Sequence, residues 1–311
     1  MKLILAPALA ATLLAGCISY PVDEGWFFRP RDIGEKATTP GDMKMNGEEN
    51  LRAPGKFSEE FSRVFPGFAA RIPARVTHDF VEISDLRIAT TRIAGANAVS
   101  TEPLIVACMG QTGDRINSGL TYTAKLLPWG EVLLVDYPGY GDSTGEPRIE
   151  AFHKFQNEFA AYIDGQAAGR PLIFWGHSLG GPVCSAMAGN SREVDAVVLE
   201  ATVPTFTDLM DARKPWFTPP TFDLQLVDGL EVYDIPAALS GFSGPVLVIG
   251  AGKDSVLPVA LQRTLAEMLK TGGVAVTYLE IERADHQNPA LNTIFVGEAT
   301  PFFGTVTDAR H

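Results

Sequence analysis

The sequence predicts an α/β protein built on a mostly parallel sheet of about eight strands flanked by helices. Three observations carry that expectation. Short apolar runs without polar alternation recur at 104–108, 131–135, 171–175, 196–199, 245–249 and 274–281, as in strands buried on both faces. Helix-length segments separate these runs, and parallel neighbours need such crossovers. Ahead of them, residues 75–83 and 87–93 alternate apolar with polar side chains around Ser84-Asp85, which predicts an antiparallel hairpin.

The 311 residues suffice for one large domain with an appendage. Hydrophobic content of 46% and charged content of 20% fit a packed chain rather than a disordered one. A net charge of −12 and a pI near 4.9 argue against nucleic acid or an anionic membrane surface as partner.

Three regions follow from the composition. Residues 1–16 start with Lys2 and continue as an apolar stretch over 3–15, too short to span a bilayer comfortably and laid out like a secretory signal. Its end, Leu14-Ala15-Gly16-Cys17, resembles the lipobox of bacterial lipoproteins. That resemblance implies cleavage before Cys17 and acylation of Cys17, and two or three acyl chains make a stable anchor. Ile18 replaces the aspartate that retains enteric lipoproteins at the inner membrane, so the expected address is the outer membrane, facing the periplasm. Residues 17–71, rich in Pro, Gly and charge without sustained period, read as a tether that partly packs on the body. Within it Trp26-Phe27-Phe28 either docks or lies near lipid headgroups. Residues 72–311 form the folded domain.

Within that domain Gly176-His177-Ser178-Leu179-Gly180 lies between the apolar run 171–175 and the small-residue stretch 181–188. A G-x-S-x-G between strand and helix presents a serine on a sharp turn, so Ser178 is the candidate nucleophile. A serine hydroxyl needs a base to take its proton and a carboxylate to orient that base. On this kind of scaffold the chain order is Ser, acid, His. Of the histidines at 78, 153, 177, 286 and 311, that order selects His286; His311 is the last residue, where chains fray. Asp254 follows the run 245–249 at the strand edge where ligand sites gather, and a plain helix-capping role is its alternative. Glu200 and Asp285 are rival acids. Oxyanion donors are expected from the backbone N–H of Leu179 and of Gln111, in the loop after 104–108. Cys108 and Cys184 sit in apolar surroundings and are expected as buried free thiols; a bridge between them is the alternative that an exported compartment would permit.

The elbow, the order Ser178, Asp254, His286, and Asp136-Tyr-Pro-Gly-Tyr-Gly-Asp-Ser143 together resemble the α/β-hydrolase superfamily, from about residue 75 to the C-terminus. The third motif is similar to that superfamily's D-x-x-G-x-G-x-S loop. The compact lysophospholipase-like, acyl-protein-thioesterase-like and serine-aminopeptidase-like members are the nearest in pattern, their G-x-H-x-D loop matching Ala284-Asp285-His286-Gln287-Asn288. Two departures stand out. Met109-Gly110 replaces the His-Gly of many relatives, and 200–244 leaves room for a small cap-like insertion instead of a large lid. In that insertion Thr205 to Trp216 is expected as one helix, with Phe206, Met210, Trp216, Phe217 and Phe222 as candidates for an acyl pocket.

The resemblance implies a serine hydrolase of carboxylic esters or thioesters, with a small-molecule or lipid ester as substrate and no cofactor. Gly139-Tyr-Gly-Asp-Ser-Thr-Gly145 has the wrong spacing for a dinucleotide loop. Gly252-Lys253 lacks the rest of a phosphate loop, and no spacing suggests a metal. Peptide cleavage, acyl transfer, and a catalytically silent envelope lipoprotein are the competing functions.

Overall fold

Ten strands form two sheets among the described residues of the computed structural model, which are 18–53, 55–56, 59, 73–96, 98–213 and 222–308. The expected signal segment and Cys17 lie outside the described residues, as do Trp216, Phe217 and His311. In chain order the strands are β1 Ile18–Val22, β2 Pro73–Ile83, β3 Leu86–Gly95, β4 Leu104–Cys108, β5 Glu131–Val135, β6 Leu172–His177, β7 Ala196–Glu200, β8 Phe222–Leu226, β9 Val246–Ala251 and β10 Val276–Ile281. The helices are α1 Glu48–Arg52, α2 Arg115–Leu126, α3 Ile149–Ala167, α4 Gly180–Asn190, α5 Phe206–Arg213, α6 Ile235–Ala238, α7 Val259–Thr271 and α8 Thr293–Asp308.

The main sheet has the order β10-β9-β7-β6-β4-β5-β3-β2. β3 pairs antiparallel with both β2 and β5, and the other pairings are parallel. Strands β4, β5, β6, β7 and β9 are buried along their whole length, which is why their sequences do not alternate. The edge strand β2 does alternate, exposing every other residue over much of its length.

Helices cover both faces. On one, Phe152, Phe155 and Phe159 of α3 and Val183 and Met187 of α4 pack beneath the sheet. On the other, Trp175 of β6 meets Phe295 and Phe303 of α8, with ring centroids 6.1 and 5.9 Å apart. Several buried polar groups form one network. The guanidinium of Arg115 bonds the carboxylates of Asp136 and Asp142, and Ser143 Oγ donates to the Asp136 carbonyl at 2.8 Å. The glycine-rich loop 136–143 is therefore a folding knot, in which a Cβ on Gly141 would lie 2.0 Å from the Asp136 carboxylate.

The chain differs from its sequence reading at one place in particular. Cys108 and Cys184 are joined by a disulfide, their Cα atoms 5.8 Å apart, rather than standing as free thiols. The cause is close approach: a Cβ on Gly180 would sit 1.9 Å from the Cys108 carbonyl oxygen, so α4 starts in contact with the end of β4 and brings Cys184 over Cys108. In the N-terminal extension, of the two alternatives for Trp26-Phe27-Phe28 the structure shows docking, and Val22, Phe27, Phe28, Met43, Met45 and Leu51 are all buried. β1 pairs in parallel with β8 of the insertion, so this stretch is woven into the body. The insertion is small, as its length predicts. Its helix α5 runs Phe206–Arg213, starting where Thr205 Oγ1 accepts the Asp208 N–H at 3.0 Å and donates back to its carboxylate at 2.6 Å, a reciprocal cap.

Candidate active site

Ser178 sits at the tip of the turn between β6 and α4 with φ +55°, a left-handed conformation that costs a non-glycine residue energy and persists where the surroundings impose it. The crossing is tight: a Cβ on Gly176 would fall 2.4 Å from the Gly180 carbonyl oxygen. Ser178 N–H donates to the Glu200 carbonyl at 2.9 Å, and Thr202 Oγ1 donates to the Ser178 carbonyl at 2.8 Å. The turn is thus fixed from β7 as well as by its own glycines.

Three side chains meet there in a row. Ser178 Oγ lies 3.0 Å from His286 Nε2, and His286 Nδ1 lies 2.8 Å from Asp254 Oδ2. A carboxylate only accepts, so Nδ1 carries the proton and Nε2 is left to accept from the serine hydroxyl. Asp254 is held in turn by the N–H groups of Val256 and Leu257 on Oδ1, at 2.8 and 2.7 Å, and by Gln262 Nε2 on Oδ2 at 2.9 Å. Burial raises the Asp254 carboxyl pKa, but the hydrogen bond and charge of His286, with those N–H groups, outweigh it and hold the group below its usual range.

The rival acids are engaged elsewhere. Glu200 is buried, takes Lys125 Nζ at 2.8 Å and Trp175 Nε1 at 3.0 Å, and is kept ionised because Lys125 and its other partners outweigh the cost of burial. Asp285 caps its own loop through the Gln287 N–H at 2.9 Å.

Beside Ser178 the backbone N–H groups of Gln111 and Leu179 have no acceptor among the described residues, and both residues line the cleft that contains the serine. Phe206 and Met210, two of the expected pocket residues, line it as well. So do Trp26 and Phe27 from the N-terminal extension, which motif and chain order do not reveal.

A second set escaped the motif reading. Gly110 N–H donates to Tyr122 Oη at 3.1 Å, Tyr122 Oη lies 3.0 Å from His177 Nδ1, and His177 Nε2 lies 2.8 Å from the carbonyl oxygen of His286. The carbonyl only accepts, so His177 carries its proton on Nε2 and takes the tyrosine hydroxyl on Nδ1. Burial first, then the Lys125 charge, push the His177 pKa down to about 3. The sequence signal was present: a histidine at the end of a fully apolar strand needs buried partners.

The comparisons with known proteins agree with this architecture. The α/β hydrolase fold family matches residues 131–219. An uncharacterized protein of Mycobacterium tuberculosis is 26% identical over 191 residues, covering 61% of this chain and 64% of that one. Human protein ABHD12B is 30% identical over 184 residues, covering 54% and 50%. Lysophosphatidylserine lipase ABHD12 of Danio rerio is 28% identical over 185 residues, covering 54% and 48%. The chain therefore spans about half the length of the vertebrate relatives it matches. Among solved structures, Est1E of Butyrivibrio proteoclasticus with ferulic acid bound superposes with a TM-score of 0.53 at 16% identity, covering 74% of this chain and 96% of that one. A structure from work on two Rhizomucor miehei esterases gives 0.54 at 15% identity, covering 84% and 91%. Sheet order, elbow and these matches define the class: the chain has the α/β-hydrolase fold.

Proposed function

We propose that the protein is a serine hydrolase of carboxylic esters or thioesters. The observation that carries the proposal is the row Ser178, His286, Asp254, hydrogen-bonded at 3.0 and 2.8 Å and opening on a largely apolar cleft. Ser178 Oγ attacks the carbonyl carbon while its proton passes to His286 Nε2, and Asp254 holds the imidazolium that forms. The carbonyl oxygen, now an anion, takes the N–H groups of Gln111 and Leu179. The tetrahedral species collapses, His286 gives its proton to the departing alcohol or thiol, and an acyl-serine is left. Water, deprotonated by the same imidazole, attacks that acyl group and returns Ser178. The lipase and esterase names among the relatives support an ester as substrate.

We place the enzyme, on the residue pattern 1–17, in the bacterial envelope as a lipoprotein anchored through Cys17. The test of the chemistry is hydrolysis of p-nitrophenyl esters and thioesters by the wild-type chain and by Ser178→Ala. Turnover by the wild type that falls at least a thousandfold in the variant is expected; equal turnover by both rejects the proposal.

A further inference from the structure

Resting on the hydrolase reading above, we propose that the N-terminal extension is the substrate-selecting wall of the site, with Trp26 and Phe27 limiting the length of the apolar chain that an ester can place beside Ser178. Trp26 and Phe27 line the same cleft as Ser178, Leu179 and Gln111, although the extension lies upstream of the main sheet. Phe27 is 4% exposed and stacks on Phe206 with ring centroids 3.9 Å apart, and Phe206 in turn leans on Tyr233 at 5.4 Å. The aromatic wall is thus half extension and half insertion. The cleft is partly open to solvent and the space it offers beside these rings is about 80 Å³, far below the ~300 Å³ at which pockets begin to bury a drug-sized ligand. On this proposal a short chain fits beside Ser178 and a longer one meets the rings of Trp26 and Phe27.

The wall is pinned on both sides of the aromatic pair. Glu24 Oε1 accepts the Ile149 N–H at 2.9 Å, and the next aromatic, Phe28, stacks on Phe152 at 4.2 Å. More tellingly, the same segment is tied to the oxyanion loop. Gln111 Nε2–H donates to the Trp26 carbonyl, while Tyr140 Oη donates to the Gln111 carbonyl at 3.0 Å and accepts the Arg29 N–H at 2.8 Å. The side-chain Nε2 and the backbone carbonyl of Gln111 are therefore engaged by the wall and by a tyrosine shared with it, while the residue itself lines the cleft. A segment serving as packing alone would have no reason to line the cleft and bind the oxyanion residue at once.

Phe27→Ala, the milder Phe27→Leu and Trp26→Ala are compared with wild type in two ester series, one lengthening the acyl chain and one the alcohol. In one series, Phe27→Ala is expected to move the preferred chain longer by about two methylenes and to raise the long-to-short ratio of kcat/KM about tenfold or more, since one methylene in an apolar pocket is worth roughly tenfold. Phe27→Leu falls between. The responding series says which side of the ester the wall reads. Equal losses at every length in both series, with the variants folded by circular dichroism, overturn the inference. A readout free of turnover separates it from the hydrolase reading: saturated fatty acids and alkanols of increasing length are titrated calorimetrically into Ser178→Ala and Ser178→Ala/Phe27→Ala. A shift to longer chains in the double variant supports the wall even where wild type hydrolyses no ester, and an unchanged length dependence rejects it even where wild type does.

Discussion

His177 donates its Nε2–H to the backbone carbonyl of His286 at 2.8 Å, so the residue before the candidate nucleophile holds the main chain of the candidate base. Through Tyr122, the same ring is connected to the N–H of Gly110. One buried line of hydrogen bonds thus runs from the loop after β4 to the loop of His286, passing next to Ser178. Beside Met109-Gly110, which stands where many relatives carry His-Gly, the histidine in this hydrogen-bond line comes from the elbow.

Replacing His177 by Phe should therefore loosen His286 without touching substrate. The lost bond leaves a buried carbonyl unpaired, a cost of about 1–3 kcal/mol, and a displaced base lowers kcat. We expect kcat to fall about tenfold or more with KM little changed, and His177→Gln, which keeps an N–H donor, to recover part of the loss. Steady-state kinetics on a good ester substrate distinguishes this from general damage, which would move both constants.

The same ring makes stability depend on pH. Its pKa is about 3 in the folded chain against about 6.5 for an unperturbed histidine, so between those values the unfolded state binds a proton that the native state refuses. The contribution is fully present above pH 6.5 and is lost as pH falls toward 3, with a slope of up to about 1.4 kcal/mol per pH unit. Urea unfolding across this range should show that slope, and His177→Gln should flatten it by that amount.

Asp254→Asn should separate orientation from stability. An amide in this place no longer stabilises the imidazolium and can donate to Nδ1, which puts the ring proton on Nε2, so kcat is expected to fall about 10³–10⁴-fold, with the melting temperature moved by only a few degrees. Glu200→Gln, at the rival acid, should leave far more activity.

Lys125→Met tests the buried pair under the elbow. Lys125 and Glu200 are both buried, and removing one partner from such a pair costs about 3–5 kcal/mol because the other charge is left uncompensated. Chemical denaturation should show that loss, and Lys125→Met/Glu200→Gln should regain part of it.

The Cys108–Cys184 disulfide closes a loop across a sequence separation of 76. Constraining a loop of that size in the unfolded chain is worth about 2–5 kcal/mol. Cys108→Ala/Cys184→Ala should therefore unfold at lower denaturant concentration, and the wild type in reductant should approach the double variant.

The legibility of the chain follows from how far each feature reaches. Strands β4 to β7 and β9 were readable because burial on both faces erases alternation, a local property. Ser178, Asp254 and His286 were readable because the elbow fixes one position and chain order filters the rest; the structure brings these three together and sends Glu200 and Asp285 elsewhere. The disulfide was not readable, since it depends on α4 approaching β4 through Gly180, a distance no local pattern encodes. That 17–71 packs partly on the body is legible, but where its aromatics dock is not. Those aromatics have no period, and their partners Phe206 and Phe152 lie more than a hundred residues away. For His177 the apolar strand signals that its ring needs buried partners, but that Tyr122 is one of them is hidden for the same reason, since a tyrosine is an ordinary residue until the histidine is placed beside it.

The central claim is that Ser178 is the nucleophile, and covalent trapping tests it most directly. The folded chain is incubated with a fluorophosphonate, digested, and its modified peptide identified by mass spectrometry. A single adduct on Ser178, slowed in Asp254→Asn and absent from Ser178→Ala, is the predicted result. An adduct that persists in Ser178→Ala, or a folded wild type that takes up no probe, would contradict it.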